Sequence, residues 1–197
     1  MSEMPSDFTP TNFASNYLKE AHSIFDVYLG KAFTQAMEVM WAAYEKDKQV
    51  FIFGNGGSAG TSSHMVNDLS KGTSVENKKR LRVMGLADNM SLLTAYANDC
   101  GYESIFAEQL KNLLNPGDVC IAISASGNSP NIIKAVEYAR LKKAQVISLV
   151  GFSGGKLKPL SDVAIHYESY NYGICEDAQL MFSHLCCQFL HEKIKRS

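Results

Sequence analysis

The chain has 197 residues, with 19 Lys and Arg against 20 Asp and Glu, a formal net charge of -1 and an apolar fraction of 46%. That length suits one α/β domain and is short for two, and a mixed composition without low-complexity runs excludes a disordered or fibrous chain. The balanced charge supplies no broad positive field for nucleic acid or an anionic membrane, and no apolar run reaches the roughly 18 residues of a membrane-spanning helix.

The opening MSEMPSDFTP is acidic and polar, unlike a secretory leader, and the five cysteines (Cys100, Cys120, Cys175, Cys186 and Cys187) include no CxxC pair or zinc-ribbon spacing. Free thiols and a cytoplasmic location are therefore expected. Phe13, Tyr17, Ala21, Phe25, Ala32, Ala36, Met40 and Ala43 recur mostly three or four apart. This spacing predicts one or two N-terminal helices ending near Lys46 and broken near Gly30. So much apolar surface ahead of the first strand points to a helical segment, residues 1–46, that packs against another subunit as well as against the sheet.

Beyond Asp47, short apolar runs alternate with loops and helical stretches: Val50 to Phe53, Leu81 to Leu86, Val119 to Ser124, Gln145 to Val150 and Val163 to Tyr167. Their brevity, β-branched content and near-continuous hydrophobicity predict parallel strands buried on both faces. The fold class is α/β, a doubly wound three-layer α/β/α sandwich with a central parallel sheet, forming a single domain over residues 1–197. A C-terminal helix from Ile174 to about Ile194, with Leu180, His184, Cys187 and His191 at helical spacing, closes it.

Two strand-to-helix junctions carry polar groups. In the first, GNGGSAG (residues 54–60), Gly56 and Gly57 permit a tight turn and close approach of a ligand, while Asn55 and Ser58 can supply hydrogen bonds at the helix entrance. It lacks the Walker ending and the GxGxxG fingerprint, and alone it is as readily structural as functional. In the second, SASGNSPN, the hydroxyls of Ser124, Ser126 and Ser129 and exposed N–H groups precede a helix beginning near Asn131. Such a set holds a phosphate without a cationic side chain, whereas a helix cap by Ser129 accounts for one serine alone. His64 and Asp68, four apart on one helix face, can grip a divalent metal, although such pairs are more often solvated neighbours. His184, taken alone, reads as a core histidine.

GNGGSAG, LTAYANDCGYE, SASGNSPNI and CEDAQLMFSH resemble, in that order, the main motifs of bacterial phosphoheptose isomerases, a family with the sugar isomerase (SIS) fold, and the similarity covers most of the chain. The resemblance implies an aldose–ketose isomerase that interconverts sedoheptulose 7-phosphate and a heptose 7-phosphate through an enediol, toward heptose for surface glycans. It also implies a homotetramer with active sites between subunits. Carried over by position, it implies that Asn55, Gly56 and Gly57 contact substrate with Ser58 beside them. Asn98 and Asp99 would line the sugar site, and Ser124, Ala125, Ser126 and Ser129 the phosphate site.

The same resemblance implies zinc held by His64, Asp68, Glu176 and His184, with Glu176 also at the substrate and Asp68 and His184 as the acid/base pair. Glu176 and His184 are eight residues apart, about 12 Å along a regular helix, too far for side-by-side chelation. Either Glu176 precedes the regular helix, or the two serve a composite oligomeric arrangement. Three positions depart from the family pattern: Asp68 stands for glutamate, Ala125 for threonine and Glu176 for glutamine. An arginine usual after the acidic ligand is also missing, Lys71 being the nearest cation. These departures keep two other readings open. One is a non-catalytic SIS regulator or a protein like the DnaA initiator-associating proteins; the other is an isomerase for a shorter or differently substituted sugar phosphate. Retention of His64, Asp68 and His184 together favours an enzyme.

Overall fold

The computed structural model describes residues 8–197, so the first seven residues of the expected N-terminal segment lie outside the described residues. Helix α1 (Pro10–Ile24) starts where Thr9 accepts a hydrogen bond from the Asn12 amide at 3.1 Å, with proline in the first turn. A 3₁₀ turn (Phe25–Leu29) follows, and the expected break at Gly30 opens α2 (Lys31–Glu45). Ala36, Met40 and Ala43 bury one stripe of α2 in the core, while Phe13 and Leu18 of α1 stay mostly exposed.

The remaining elements are β1 (Gln49–Gly54), α3 (Gly57–Asn67), β2 (Arg82–Gly85), α4 (Met90–Cys100), α5 (Ile105–Leu113), β3 (Val119–Ser124), α6 (Pro130–Leu141), β4 (Gln145–Val150), α7 (Leu157–Leu160), β5 (Val163–His166) and α8 (Tyr172–Arg196). The five strands form one sheet in the order β2-β1-β3-β4-β5, and every pairing is parallel. In register, Ile52 lies beside Ile121 and Ile121 beside Ile147.

Alternation along the strands divides the core in two. Val50, Ile52, Ile121, Ile123, Ile147 and Leu149 meet α1, α2, α3 and α8 on one face. Phe51, Phe53, Cys120, Ala122, Val146 and Val150 meet α5, α6 and α7 on the other, with Leu93 and Ala97 of α4 packed alongside. Both faces are thus covered, which is why central strands carry apolar side chains at successive positions. The edge strand β2 is shorter than expected; Leu81 and Leu86 are buried just outside it, and Met84 is exposed.

The strand order reverses direction between β1 and β3, since the chain leaves β1 toward β2 on one side and continues from β3 toward β4 on the other. At such a point the following loops part and leave a crevice at the carboxyl ends of the strands. The two junctions singled out in the sequence are the loops after β1 and β3.

Candidate functional site

The crevice is a cavity of about 260 Å³ lined by Asn55, Gly56, Gly57, Ser58, Ile123, Ser124, Ala125, Ser126, Ser129, Tyr172 and Glu176. Gly56 takes a positive φ of 53° that turns the chain from β1 into α3. Gly57 leaves no room for a Cβ, which would meet the Glu176 carboxylate. The two loops are joined by a reciprocal amide pair. Asn55 Nδ2 donates to Asn131 Oδ1 at 2.9 Å, Asn131 Nδ2 donates to Asn55 Oδ1 at 2.9 Å, and the Tyr102 hydroxyl donates to Asn55 Oδ1 at 3.1 Å. Ser58 is buried, its hydroxyl donating at 3.2 Å to Gln179 Oε1, so it braces α3 against α8 as well as lining the crevice.

In the loop after β3, the Ser124 and Ser129 hydroxyl oxygens lie 3.3 Å apart, and Ser124 Oγ also accepts from the Gly127 amide at 3.2 Å. Ser126 Oγ accepts from the Asn128 amide at 3.3 Å. Ser129 occupies the cap position of α6, yet its side chain makes no cap hydrogen bond. A helix cap therefore does not account for its hydroxyl, which faces Ser124 across the crevice wall. Gly127 has a φ of 64° and sits against Gly154 so tightly that a Cβ would meet that carbonyl. The arrangement, hydroxyls and a helix N-terminus around a small cavity, suits an anion of phosphate size.

Helices α3 and α8 both leave this crevice and pack side by side. About two turns further along, or roughly 10–12 Å at the usual helical rise, His64 of α3 meets His184 of α8. The two Nε2 atoms are 3.1 Å apart, and Asp68 Oδ2 lies 3.2 Å from the first and 3.9 Å from the second. Asp68 opens a single π turn (Asp68–Gly72) that ends α3. Its carboxylate is mostly buried, and Oδ2 accepts from the buried Ser183 hydroxyl at 3.0 Å. Cys187 donates its thiol to the Asp68 carbonyl at 3.2 Å. Burial, with the negative charge of Asp68 adding to it, raises the Cys187 pKa and keeps that proton in place.

The donor atoms of His64, Asp68 and His184 all lie within 4.8 Å of one another. Two imidazole nitrogens and one carboxylate oxygen, gathered from elements far apart in sequence, match the composition of an open zinc site. Bonds of about 2.0–2.2 Å in a tetrahedral site bring donors to spacings of this order. The residues present fit a divalent metal.

The expected fourth ligand does not join them within the chain. Glu176 lies inside the regular helix α8, two turns before His184, and borders the crevice instead. Of the two alternatives, the one in which Glu176 precedes the regular helix does not hold; a helix places successive turns along one axis rather than at one point. Asn98 and Asp99 also lie apart. They are exposed at the end of α4, where Asn98 Nδ2 donates to Asp99 Oδ1 at 2.7 Å, and they do not line the crevice. Asn131, Tyr102, Tyr172, Gln179 and Ser183 are functional neighbours that sequence reasoning missed. Only Asn131, two residues after Ser129, carried a usable signal, as the last polar residue of the SASGNSPN run.

Comparison with known proteins accords with this geometry. Residues 16–151 match the SIS domain family. The chain is 39% identical to a phosphoheptose isomerase of Helicobacter pylori strain P12 over 78% of its own length and 79% of the relative. It is 33% identical to a probable phosphoheptose isomerase of Thermoplasma acidophilum, over 91% of this chain and 98% of that one. The solved structure of a phosphoheptose isomerase from Francisella tularensis superposes with a TM-score of 0.86 at 26% identity, covering 94% of this chain and 100% of that one.

Proposed function

We propose, since this chain belongs to the SIS-domain family and within it to the phosphoheptose isomerases, that it converts sedoheptulose 7-phosphate to D-glycero-D-manno-heptose 7-phosphate. The reaction would take place in the cytoplasm and supply heptose for surface glycans. One observation carries the reading: the His64–Asp68–His184 group stands on the same two helices, α3 and α8, whose first turns line the serine crevice. An open-chain heptose phosphate is an elongated molecule, with phosphate at one end and the reacting C1 and C2 at the other. The hydroxyls and helix N-terminus of the crevice suit the phosphate end.

Ser124, Ser126 and Ser129 hold the phosphate, and Asn55 orients the sugar chain beside it. Isomerisation removes a proton from C1 of the ketose and returns one to C2 through an enediol, so it needs a base and an acid. Asp68 and His184 supply them. A carboxylate has two oxygens, so Asp68 can keep Oδ2 toward the imidazoles and Ser183 while the other oxygen takes a proton. Zinc bound by His64, Asp68 and His184 would stabilise negative charge on the sugar oxygens as the enediol forms.

The distance between crevice and metal group along the helices favours a site completed by neighbouring subunits, a homotetramer in which the Asn98–Asp99 pair faces substrate across an interface while Glu176 borders the crevice of its own chain. Exposed Phe13 and Leu18 on α1, and Leu185 and Phe189 on α8, give such contacts an apolar surface. A sensing protein needs the crevice but has no use for the buried support of Asp68.

The test supplies sedoheptulose 7-phosphate in D₂O, with and without zinc, and follows C1 deuteration and aldose by NMR. Signals lost in His184→Ala establish the chemistry. Substrate that binds at saturation without either signal, whatever divalent metal is added, rejects it and favours a sensor.

A further inference from the structure

The π turn that carries Asp68 is gripped by side chains along its length. Cys187 donates to the carbonyl of Asp68 at 3.2 Å, and His191 Nδ1 lies 2.9 Å from the carbonyl of Gly72. Between them, Thr73 donates to the Leu69 carbonyl at 2.6 Å and Ser74 to the Ser70 carbonyl at 3.1 Å. Because a carbonyl only accepts, His191 must carry its proton on Nδ1. Ser183, Cys187 and His191 are four apart on α8 and so share one helix face. That face lies along the turn from its carboxylate to its last carbonyl. Gly72 belongs to the fit, since a Cβ there would collide with Cys187 Sγ.

A single π turn widens the backbone and alters the aim of the side chain that opens it, and such turns recur at functional sites. Asp68 is one methylene shorter than glutamate, so its reach toward His64 and His184 depends on where this turn sits. Ser183 is fully buried and bonds to the same Oδ2 that faces both imidazoles. We propose that Ser183, Cys187 and His191 are positioning residues, a stripe on α8 that holds the π turn and aims the short Asp68 carboxylate at the metal and the sugar. The inference rests on the isomerase reading above for its role in turnover. Its role in metal binding stands separately. Outer partners of this kind orient a ligating carboxylate and typically change metal affinity or activity by about 10–100-fold when removed.

The experiment compares the full-length wild type with Ser183→Ala, Ser183→Thr, His191→Leu and His191→Gln. Zinc affinity is read by competition with a chromophoric chelator on stripped protein, kcat and KM with sedoheptulose 7-phosphate, and folding by thermal melting. Ser183→Ala is expected to lower zinc affinity and kcat by about 10-fold or more while KM moves by no more than about twofold. Threonine, which keeps the hydroxyl, and glutamine, whose amide can donate to Gly72, should recover most of what alanine and leucine lose.

Zinc affinity and kcat both within about twofold of wild type in Ser183→Ala overturn the proposal, as does a folded Ser183→Thr no better than Ser183→Ala. A wild type that binds no zinc overturns it too. If the wild type binds zinc with the expected dependence on Ser183 but turns over no heptose phosphate, the isomerase reading fails and the positioning role stands. If the wild type turns over and Ser183→Ala matches it in every readout, the reverse holds.

Discussion

The amides of Asn55 and Asn131 face one another, each oxygen accepting from the other's nitrogen at 2.9 Å. This pair ties the turn after β1 to the first turn of α6, and so fixes the width of the crevice between them. Replacing Asn131 with alanine removes both amide bonds, leaves Asn55 only the Tyr102 hydroxyl, and frees the two loops to part. The expected result is a rise in KM of about 10-fold and a stability loss of about 1–3 kcal/mol, the usual cost of breaking a buried polar pair. Steady-state kinetics and urea unfolding measure both, and an unchanged KM would show that the crevice keeps its width by other means.

Glu176 brings a carboxylate to the lining of a cavity otherwise suited to an anion. Removing that charge with Glu176→Gln is expected to tighten binding of inorganic phosphate. The repulsion relieved is on the order of 1 kcal/mol in a solvated cleft, or about fivefold in Kd. Calorimetric titration at low and high salt should show the gain shrinking as screening increases.

Asp68 fits a turn held by α8, so lengthening it to glutamate should not improve the enzyme. In Asp68→Glu the added methylene pushes the carboxylate past the imidazole pair and away from Ser183. A displacement of about 1 Å is enough to cost on the order of 100-fold in rate. The expected kcat falls with little change in KM. An increase in kcat would mean that the turn adapts to the longer side chain.

Alkali should destabilise the protein. Burial raises the pKa of Cys120 and Cys186 above the ordinary thiol value of 9.0, and of Tyr28 and Tyr167 above the ordinary phenol value of 10.0. Each folded pKa is the higher one, so these groups contribute fully below the unfolded pKa and lose that contribution as pH rises toward the folded value. Unfolding free energy is therefore expected to fall from about pH 9 upward, by about 1.4 kcal/mol per pH unit for each group in play. Denaturant melts from pH 7 to 11 would reveal it, and a flat profile would show that these groups are open to water.

The strands were legible because buried parallel strands write themselves as short apolar runs. All five begin and end within a residue of the expected limits, and the two edge strands, β2 and β5, are the ones that came out shorter. The serine loop was legible from its composition. What could not be read was which partner each polar group takes. Ser129 stands at the cap position of α6 yet turns its hydroxyl to Ser124, while Asn98 and Asp99 bond to one another at a helix end away from the crevice. Ser183 carries no local signal, because its bond to Asp68 spans 115 positions and depends on how α3 and α8 cross. Local patterning reports burial and period; it carries no information on pairings set by tertiary packing.

The reversal of strand order between β1 and β3 also bears on how the chain folds. Strand β3 pairs with β1 only after α3, β2, α4 and α5 have been looped out between them, a contact distant in sequence and slow to form. The crevice does not exist until that pairing is made, so the unfolded chain offers phosphate nothing comparable. Sugar phosphate in the refolding medium should accordingly act as a stabiliser, shifting the equilibrium toward the completed sheet by an amount that grows with the logarithm of its concentration above Kd.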